Sequence, residues 1–172
     1  MEISLHALCH GKTAKLFPTS QDHKRALEND LGLNTGGMGT YSPVPFLKED
    51  KLSEIASAVI EPWLSGCARE GIDFRGMIYP GIMLTDEGPK VLEFNARFGD
   101  PETQIYLTRL KNDLVDLFEA SINGTLDEHE LQTALGQGLS VQTVRSKRTV
   151  RILVYKYADF LIETAGAHAE LA

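Results

Sequence analysis

Glu93 and Asn95 stand two residues apart at the head of the run Glu93-Phe94-Asn95-Ala96-Arg97-Phe98-Gly99-Asp100-Pro101-Glu102-Thr103-Gln104. Lys90-Val91-Leu92 leads into it after the turn signal Asp86-Glu87-Gly88-Pro89, so the run begins on a strand. Alternation along that strand puts Val91, Glu93 and Asn95 on one face and Leu92 and Phe94 on the other. The carboxylate and the amide carbonyl are then two hard oxygen donors about 7 Å apart along the backbone. Such a pair suits a magnesium ion that keeps waters and takes its other ligands from substrate phosphates. Arg97 follows at the strand end beside a Gly-Asp-Pro turn, where a guanidinium can receive a phosphate or carboxylate as a planar fork. The same residues would also serve as a solvent-facing strand end followed by an ordinary turn.

The elements that must hold these residues are legible in outline. Residues 2–9 alternate, with Ile3, Leu5 and Ala7 against Ser4, His6 and Leu8, and read as a strand. His10-Gly11-Lys12 makes a turn, and residues 13–17 return as a second strand. Residues 18–45 show little periodicity and carry Gly32, Gly36, Gly37 and Gly39, the composition of a long functional loop. Leu52, Ile55, Ala56, Val59 and Ile60 recur at three and four, predicting a helix over 48–69 that Pro62 kinks. Residues 75–85 and 90–95 form a second hairpin. Leu107, Leu110, Leu114, Leu117 and Phe118 predict a helix over 101–123 that ends at Asn123-Gly124, where glycine can take the left-handed cap. A strand at 148–157 adds to an edge, and Phe160, Leu161 and Ala165 share a face of a short helix in the tail at 158–172. The expected fold class is α+β: an antiparallel sheet with the helices packed on one face.

With 172 residues the chain has room for one domain with a real core and is short for two. A net charge of −7 argues against nucleic acid as a partner. The basic cluster Arg145-Ser146-Lys147-Arg148, with Arg151 behind it, reads as a solvated strand edge. No apolar run approaches a membrane span and no secretory signal pattern opens the chain, so cytoplasm is the expectation and a membrane is not. Cys9 and Cys67 have no metal or disulfide spacing and read as buried or half-buried thiols.

Three stretches together resemble one family. They are Gln21-Asp22-His23-Lys24-Arg25 leading to Asn34-Thr35-Gly36-Gly37-Met38-Gly39-Thr40-Tyr41-Ser42-Pro43, then Gly76-Met77-Ile78-Tyr79-Pro80-Gly81-Ile82-Met83-Leu84, then the run from Gly88 to Gln104. In order and spacing they are similar to the glycinamide ribonucleotide synthetases, or phosphoribosylamine–glycine ligases, of the ATP-grasp superfamily. The resemblance covers roughly residues 2 to 130. It implies that residues 1–130 are the C-terminal part of an ATP-grasp catalytic domain, half of that domain, and that 131–172 are a divergent tail of strand plus short helix.

The activity implied is a carboxylate–amine ligation in purine biosynthesis. Glycine takes the γ-phosphoryl group of ATP, and the amine of 5-phosphoribosylamine attacks the glycyl phosphate. Such chemistry rests on positioning and charge neutralisation more than on covalent help. By resemblance Glu93 and Asn95 are the ligands of Mg2+ or Mn2+ at the ATP phosphates. Arg97 and Asp100 are the catalytic candidates, Arg97 neutralising an anionic substrate group or the transferring phosphoryl. Asp22, His23, Arg97, Pro101, Thr103 and Gln104 are the substrate-binding candidates around the phosphoribosylamine. Lys12, Lys24, Arg25 and Arg97 are the cations available to a polyanion. Asn34, Gly36, Gly37 and Gly39 belong to a signature loop that closes over the site; it is not a Walker loop, since no Gly-Lys-Ser/Thr follows. Plain structural accounts stand beside these: His23 bonded to its own turn, Asp100 capping a helix, Thr103 and Gln104 exposed and idle.

Two departures from the family pattern bear on the frame. Asp30-Leu31-Gly32-Leu33-Asn34 stands where the family has Asp-x-Gly-Pro-Asn, which frees the backbone before Asn34. Pro80 stands where the family has a small residue, and without an N–H it should break a ladder bond. Glu2-Ile3-Ser4 resembles the close of the nucleotide-grasping subdomain, so the glycine-rich lid and its lysine are expected outside these residues. The resemblance therefore leaves three readings. They are the catalytic-core portion of such a synthetase as a fragment or truncated gene, a split ligase whose complementary chain carries the lid, or a non-catalytic remnant serving as an anion-binding or assembly module.

Overall fold

The structure, a computed structural model, describes residues 1–134 apart from Glu28 and Asp30, and the strands at 139–145 and 150–156. The expected tail helix at 158–172 and positions 146–148 of the basic cluster lie outside the described residues. The first sheet is antiparallel and centred on a long strand. In chain order its members are β1 (Glu2–Ser4), β2 (Ala7–His10) and β3 (Thr13–Leu16), and later β8 (Arg75–Thr85) and β9 (Gly88–Asn95). Between them run β4 (Gln21–Asp22), β5 (Arg25–Leu27), β6 (Leu31–Asn34), β7 (Gly39–Ser42) and the helix α1 (Glu49–Arg69). After β9 come α2 (Glu102–Arg109), α3 (Leu114–Asn123), β10 (Leu139–Arg145) and β11 (Val150–Lys156).

Strand β8 pairs with β9 along one edge and with β1 and then β2 along the other, and β3 flanks β2. The β8–β9 turn is Asp86-Glu87, and Gly88 takes a φ of +104° just beyond it. Ile3 opposes Ile82 and Ala7 opposes Ile78, one continuous register, yet the ladder lapses at Leu5 and His6. The lapse faces Pro80: Leu5 N–H reaches the Pro80 carbonyl at 3.5 Å, and Pro80 has no N–H to return. The proline thus divides into two strands what the alternation predicts as one.

Helices cover both faces of this sheet, not one. Ile55, Val59, Ile60 and Leu64 of α1 pack on Ile3, Leu5, Ala7, Cys9, Ile78 and Ile82. Leu8, Phe17 and Met77 point the other way, against Ile105 and Tyr106 of α2 and Leu117 and Ala120 of α3. Strand alternation requires this outcome once both sets are apolar: Ala7 and Cys9 serve one layer and Leu8 the other. Pro62 lies inside α1 without dividing it. Cys9 is buried and Cys67 half-buried, both as free thiols.

The helix expected over 101–123 is two. Asp113 caps α3, its side chain accepting from Val115 N–H at 2.8 Å, and Leu110 leaves helical geometry to bridge to Thr133. Gly124 ends α3 in the left-handed conformation, φ +81°. The aperiodic stretch 18–45 also holds more order than a loop. β7 is the spine of a second sheet, ordered β11–β10–β7–β4, while β5 and β6 form an exposed hairpin of their own. The late strand therefore extends the second sheet rather than the first. Leu33, where the family pattern has proline, lies within β6. Among the described residues no helix is long and apolar enough to cross a membrane.

Candidate functional site

Two groups of the sequence-nominated residues form, both on the α2 side of the first sheet. The first gathers where β4, the glycine loop and the start of α2 meet. Asp22 pairs with Thr40 of β7, which puts its carboxylate beside the loop at 36–39. Gly37 is pressed against it: a Cβ there would lie 2.8 Å from Pro101 Cδ and 2.9 Å from Asp22 Oδ2. Its φ of +103° also suits glycine alone. Burial pushes Asp22 up to about 7, helped by the nearby charges of Glu102 and Glu2; Lys24 and the Gly39 N–H pull the other way. Lys24 itself forms an ion pair with Glu2.

His23 is held through its backbone, donating to Gly39 O at 2.8 Å and accepting from Met38 N–H at 3.0 Å, with its exposed ring tilted beside Tyr41. Asn34 and Gly36 are exposed and stand apart. Asn34 pairs with Arg25 in the outer hairpin, and a Cβ at Gly36 would meet nothing within 4 Å. Of the candidate cations, Arg25 donates to Gly32 O within that hairpin and Lys12 is exposed on the β2–β3 turn.

Asp100 does not cap α2; the cap position is Pro101, with no side-chain bond. The Asp100 carboxylate instead accepts from Gln104 Nε2 at 2.8 Å, so these two nominated side chains are joined. Thr103 donates both its N–H and its hydroxyl to Gly99 O. Thr103 and Gln104 are half-buried, not idle on the surface.

The second group lies at the end of β9. Leu92 is an extra residue in the ladder: Val91 opposes Ile82, but Glu93 opposes Gly81 and Asn95 opposes Tyr79. Val91 therefore shares the α1 face with Ile82, whereas Glu93 and Asn95 turn to the α2 face. The simple alternation that grouped all three is corrected by this bulge. Asn95 Nδ2 lies 2.9 Å from Glu93 Oε1. Cis oxygens of an octahedral magnesium ion stand about 3 Å apart, given ligand distances near 2.1 Å. With the amide turned over so that Oδ1 replaces Nδ2, which gives up the 3.4 Å bond from Nδ2 to Tyr79 O, the pair matches that spacing. Glu93 is exposed, leaving room for waters and phosphate oxygens. Arg97 is exposed too, and Nη1 donates to Phe98 O at 3.0 Å.

Beneath both groups lies a buried polar cluster that the alternation did not single out. Glu102, 2% exposed, accepts from Ser4 Oγ and Tyr79 Oη, each at 2.8 Å. His6 is fully buried, stacked on Tyr79 with ring centroids 4.0 Å apart. Its Nε2 accepts from Gly99 N–H at 3.1 Å, and its Nδ1 lies 3.0 Å from Tyr106 Oη. Burial, with the Arg97 charge nearby, lowers His6 to about 3. One signal was present: Leu8 shares the supposedly polar face of Ser4 and His6, which a solvated face would not favour.

Comparisons with known proteins bear on the family of the chain. Residues 1–103 match the family model "Phosphoribosylglycinamide synthetase, ATP-grasp (A) domain". A phosphoribosylamine–glycine ligase of Listeria innocua is 50% identical over 127 residues, 74% of this chain and 30% of that protein. One from Mesorhizobium japonicum is 47% identical over 125 residues, 73% of this chain and 29% of its own. The chain thus spans about 30% of the length of these relatives. A crystal structure of phosphoribosylamine–glycine ligase from Thermotoga maritima superposes with a TM-score of 0.75 at 30% identity, covering 86% of this chain and 37% of that one. The matched stretch contains Asp22, the glycine loop, the β9 bulge and the turn before α2, and on that footing the chain belongs to the phosphoribosylglycinamide synthetase ATP-grasp (A) domain family.

Proposed function

We propose that this chain supplies one side of the active site of a cytoplasmic ATP-dependent ligase that joins glycine to 5-phosphoribosylamine through a glycyl phosphate. The observation that carries the reading is the Glu93–Asn95 pair, a carboxylate and an amide 2.9 Å apart on an exposed strand end in a chain of this family. Glu93 and Asn95 would hold Mg2+ or Mn2+, whose charge would offset that of the ATP phosphates. Arg97, exposed two residues beyond, would receive an anionic substrate group or the transferring phosphoryl as a bidentate fork. Asp100, oriented by Gln104, would face the amine substrate. Asp22, His23, Pro101 and Thr103 would line the same pocket. The loop bearing Asn34, Gly36, Gly37 and Gly39 would cover it, anchored where Gly37 meets Pro101. Residues 1–130 are on this reading the catalytic portion, and 131–172 a separate extension. The phosphate-covering lid would be supplied from outside these residues, in the same polypeptide or in a complementary chain.

Isothermal titration of magnesium–ATP into the purified chain tests the reading, with Glu93→Gln as control. Binding that the substitution weakens tenfold or more is the expected result. A folded wild-type chain with no heat of binding, or a Glu93→Gln chain that binds equally well, would sink the ligand assignment.

A further inference from the structure

We infer that His6 is a positioning residue for the turn at 99–101, holding Gly99 through Nε2 and so fixing where Asp100 and the first turn of α2 meet a sugar-phosphate substrate. The function of that turn rests on the ligase reading above; the tether itself rests on geometry alone. A backbone N–H can only donate, so the 3.1 Å contact from Gly99 leaves Nε2 without a proton. The neutral ring then carries its hydrogen on Nδ1 and donates it to Tyr106 Oη, 3.0 Å away. Tyr106 in turn donates to Ser20 Oγ at 2.6 Å, and Ser20 exchanges backbone bonds with Ser4 of β1. Both ring nitrogens thus have assigned partners and directions.

Gly99 is confined from two sides. A Cβ on it would lie 3.1 Å from His6 Nε2 and 2.8 Å from Glu102 Cδ. Its carbonyl is taken by Thr103. The ring is fixed by the stack on Tyr79 and by the edge of Tyr106, with centroids 4.8 Å apart. Nothing in this arrangement catalyses. It transmits the position of the β1–β2 break, set by Pro80, to the turn that presents Asp100 and to the hydroxyl of Thr103. The ring is also no pH switch, because an imidazolium would place a second N–H against that of Gly99.

His6→Phe keeps the ring and its stacking while removing both nitrogens, so it leaves the Gly99 N–H buried and unpaired. The experiment uses the 172-residue chain with ribose 5-phosphate as the sugar-phosphate probe and magnesium–ATP as the second ligand. Nitrogen–proton correlation spectra of the wild type should show the His6 proton on Nδ1 and a bare Nε2. His6→Phe should remain folded by circular dichroism and exchange its Gly99 amide at least tenfold faster. It should lose tenfold or more in ribose 5-phosphate affinity while binding magnesium–ATP within about twofold of wild type. His6→Gln, whose amide oxygen can accept from Gly99, should recover most of the loss. A wild-type proton on Nε2 overturns the tether without any variant. So does a His6→Phe chain with unchanged Gly99 exchange. If the wild type ignores ribose 5-phosphate, the ligase reading fails for this turn, and the tautomer and exchange results still decide the tether.

Discussion

Gly36 and Gly37 are neighbours of identical chemistry, and the fold treats them oppositely. Gly37 has φ +103° and touches Pro101 and Asp22, whereas Gly36 has open space where a Cβ would go. Gly37→Ala should therefore cost about 1–3 kcal/mol through left-handed strain and the clash with Pro101. Gly36→Ala should lie within about 0.5 kcal/mol of wild type, as exposed substitutions usually do. Urea unfolding of the two single variants measures the difference. Equal midpoints for both would show that the loop does not pack against α2. At this scale the candidates for chemistry were nameable from the sequence, because types such as Glu, Asn and Asp at set spacing announce themselves. Those that carry position were not. His6 and Glu102 look like ordinary polar residues in the sequence, and only burial by α2 makes them partners for Gly99, Ser4 and Tyr79.

Element boundaries depended on single residues whose effect is local. Pro80 could be read as a ladder breaker from its missing N–H, and the lapse at Leu5 and His6 follows from it. The bulge at Leu92 could not be read, since one inserted residue leaves hydrophobic alternation almost unchanged while turning Glu93 to the other face. The break between α2 and α3 lay in between. Leucines at helical spacing run through 107–117 and predict one helix, whereas Asp113 caps a new one and Leu110 bridges to Thr133, a partner distant in sequence. Residues 18–45 misled for the same reason: β4 and β7 depend on partners distant in sequence and show little period of their own. The cap gives a direct test. Asp113→Ala should destabilise the chain by about 1 kcal/mol, within the usual range of about 0.5–2 for a lost N-cap. Asp113→Ser should restore most of that. An Asp113→Ala variant with an unshifted urea midpoint would mean that tertiary contacts, not the cap, start α3.

Across the whole molecule, Asp22 of the candidate site and His6 buried beneath it set opposing dependences of stability on pH. His6 is held near 3 and so stays neutral in the fold while an unfolded histidine takes up a proton below about 6.5. Its contribution is present at neutral pH and drains away as pH falls from about 6.5 toward 3. Asp22 works in the other direction. Held at about 7, it binds a proton in the fold that the unfolded side chain has already released. Folding is then favoured as pH falls from 7 toward about 4, and the penalty of a buried charge is complete above 7. Each proton sets a slope of at most about 1.4 kcal/mol per pH unit, and between about pH 4 and 6.5 the two slopes oppose one another. The wild type should therefore change little in stability over that window. Asp22→Asn removes one slope and should lose stability steeply on acidification. His6→Phe removes the other and should gain stability relative to its own value at pH 7. Urea midpoints at pH 4.5, 5.5 and 6.5 for the three chains decide the matter. Parallel profiles would mean that neither group is held as the fold implies. Divergence in opposite senses would show that Asp22 of the candidate site and His6, buried beneath it, carry countervailing proton linkages.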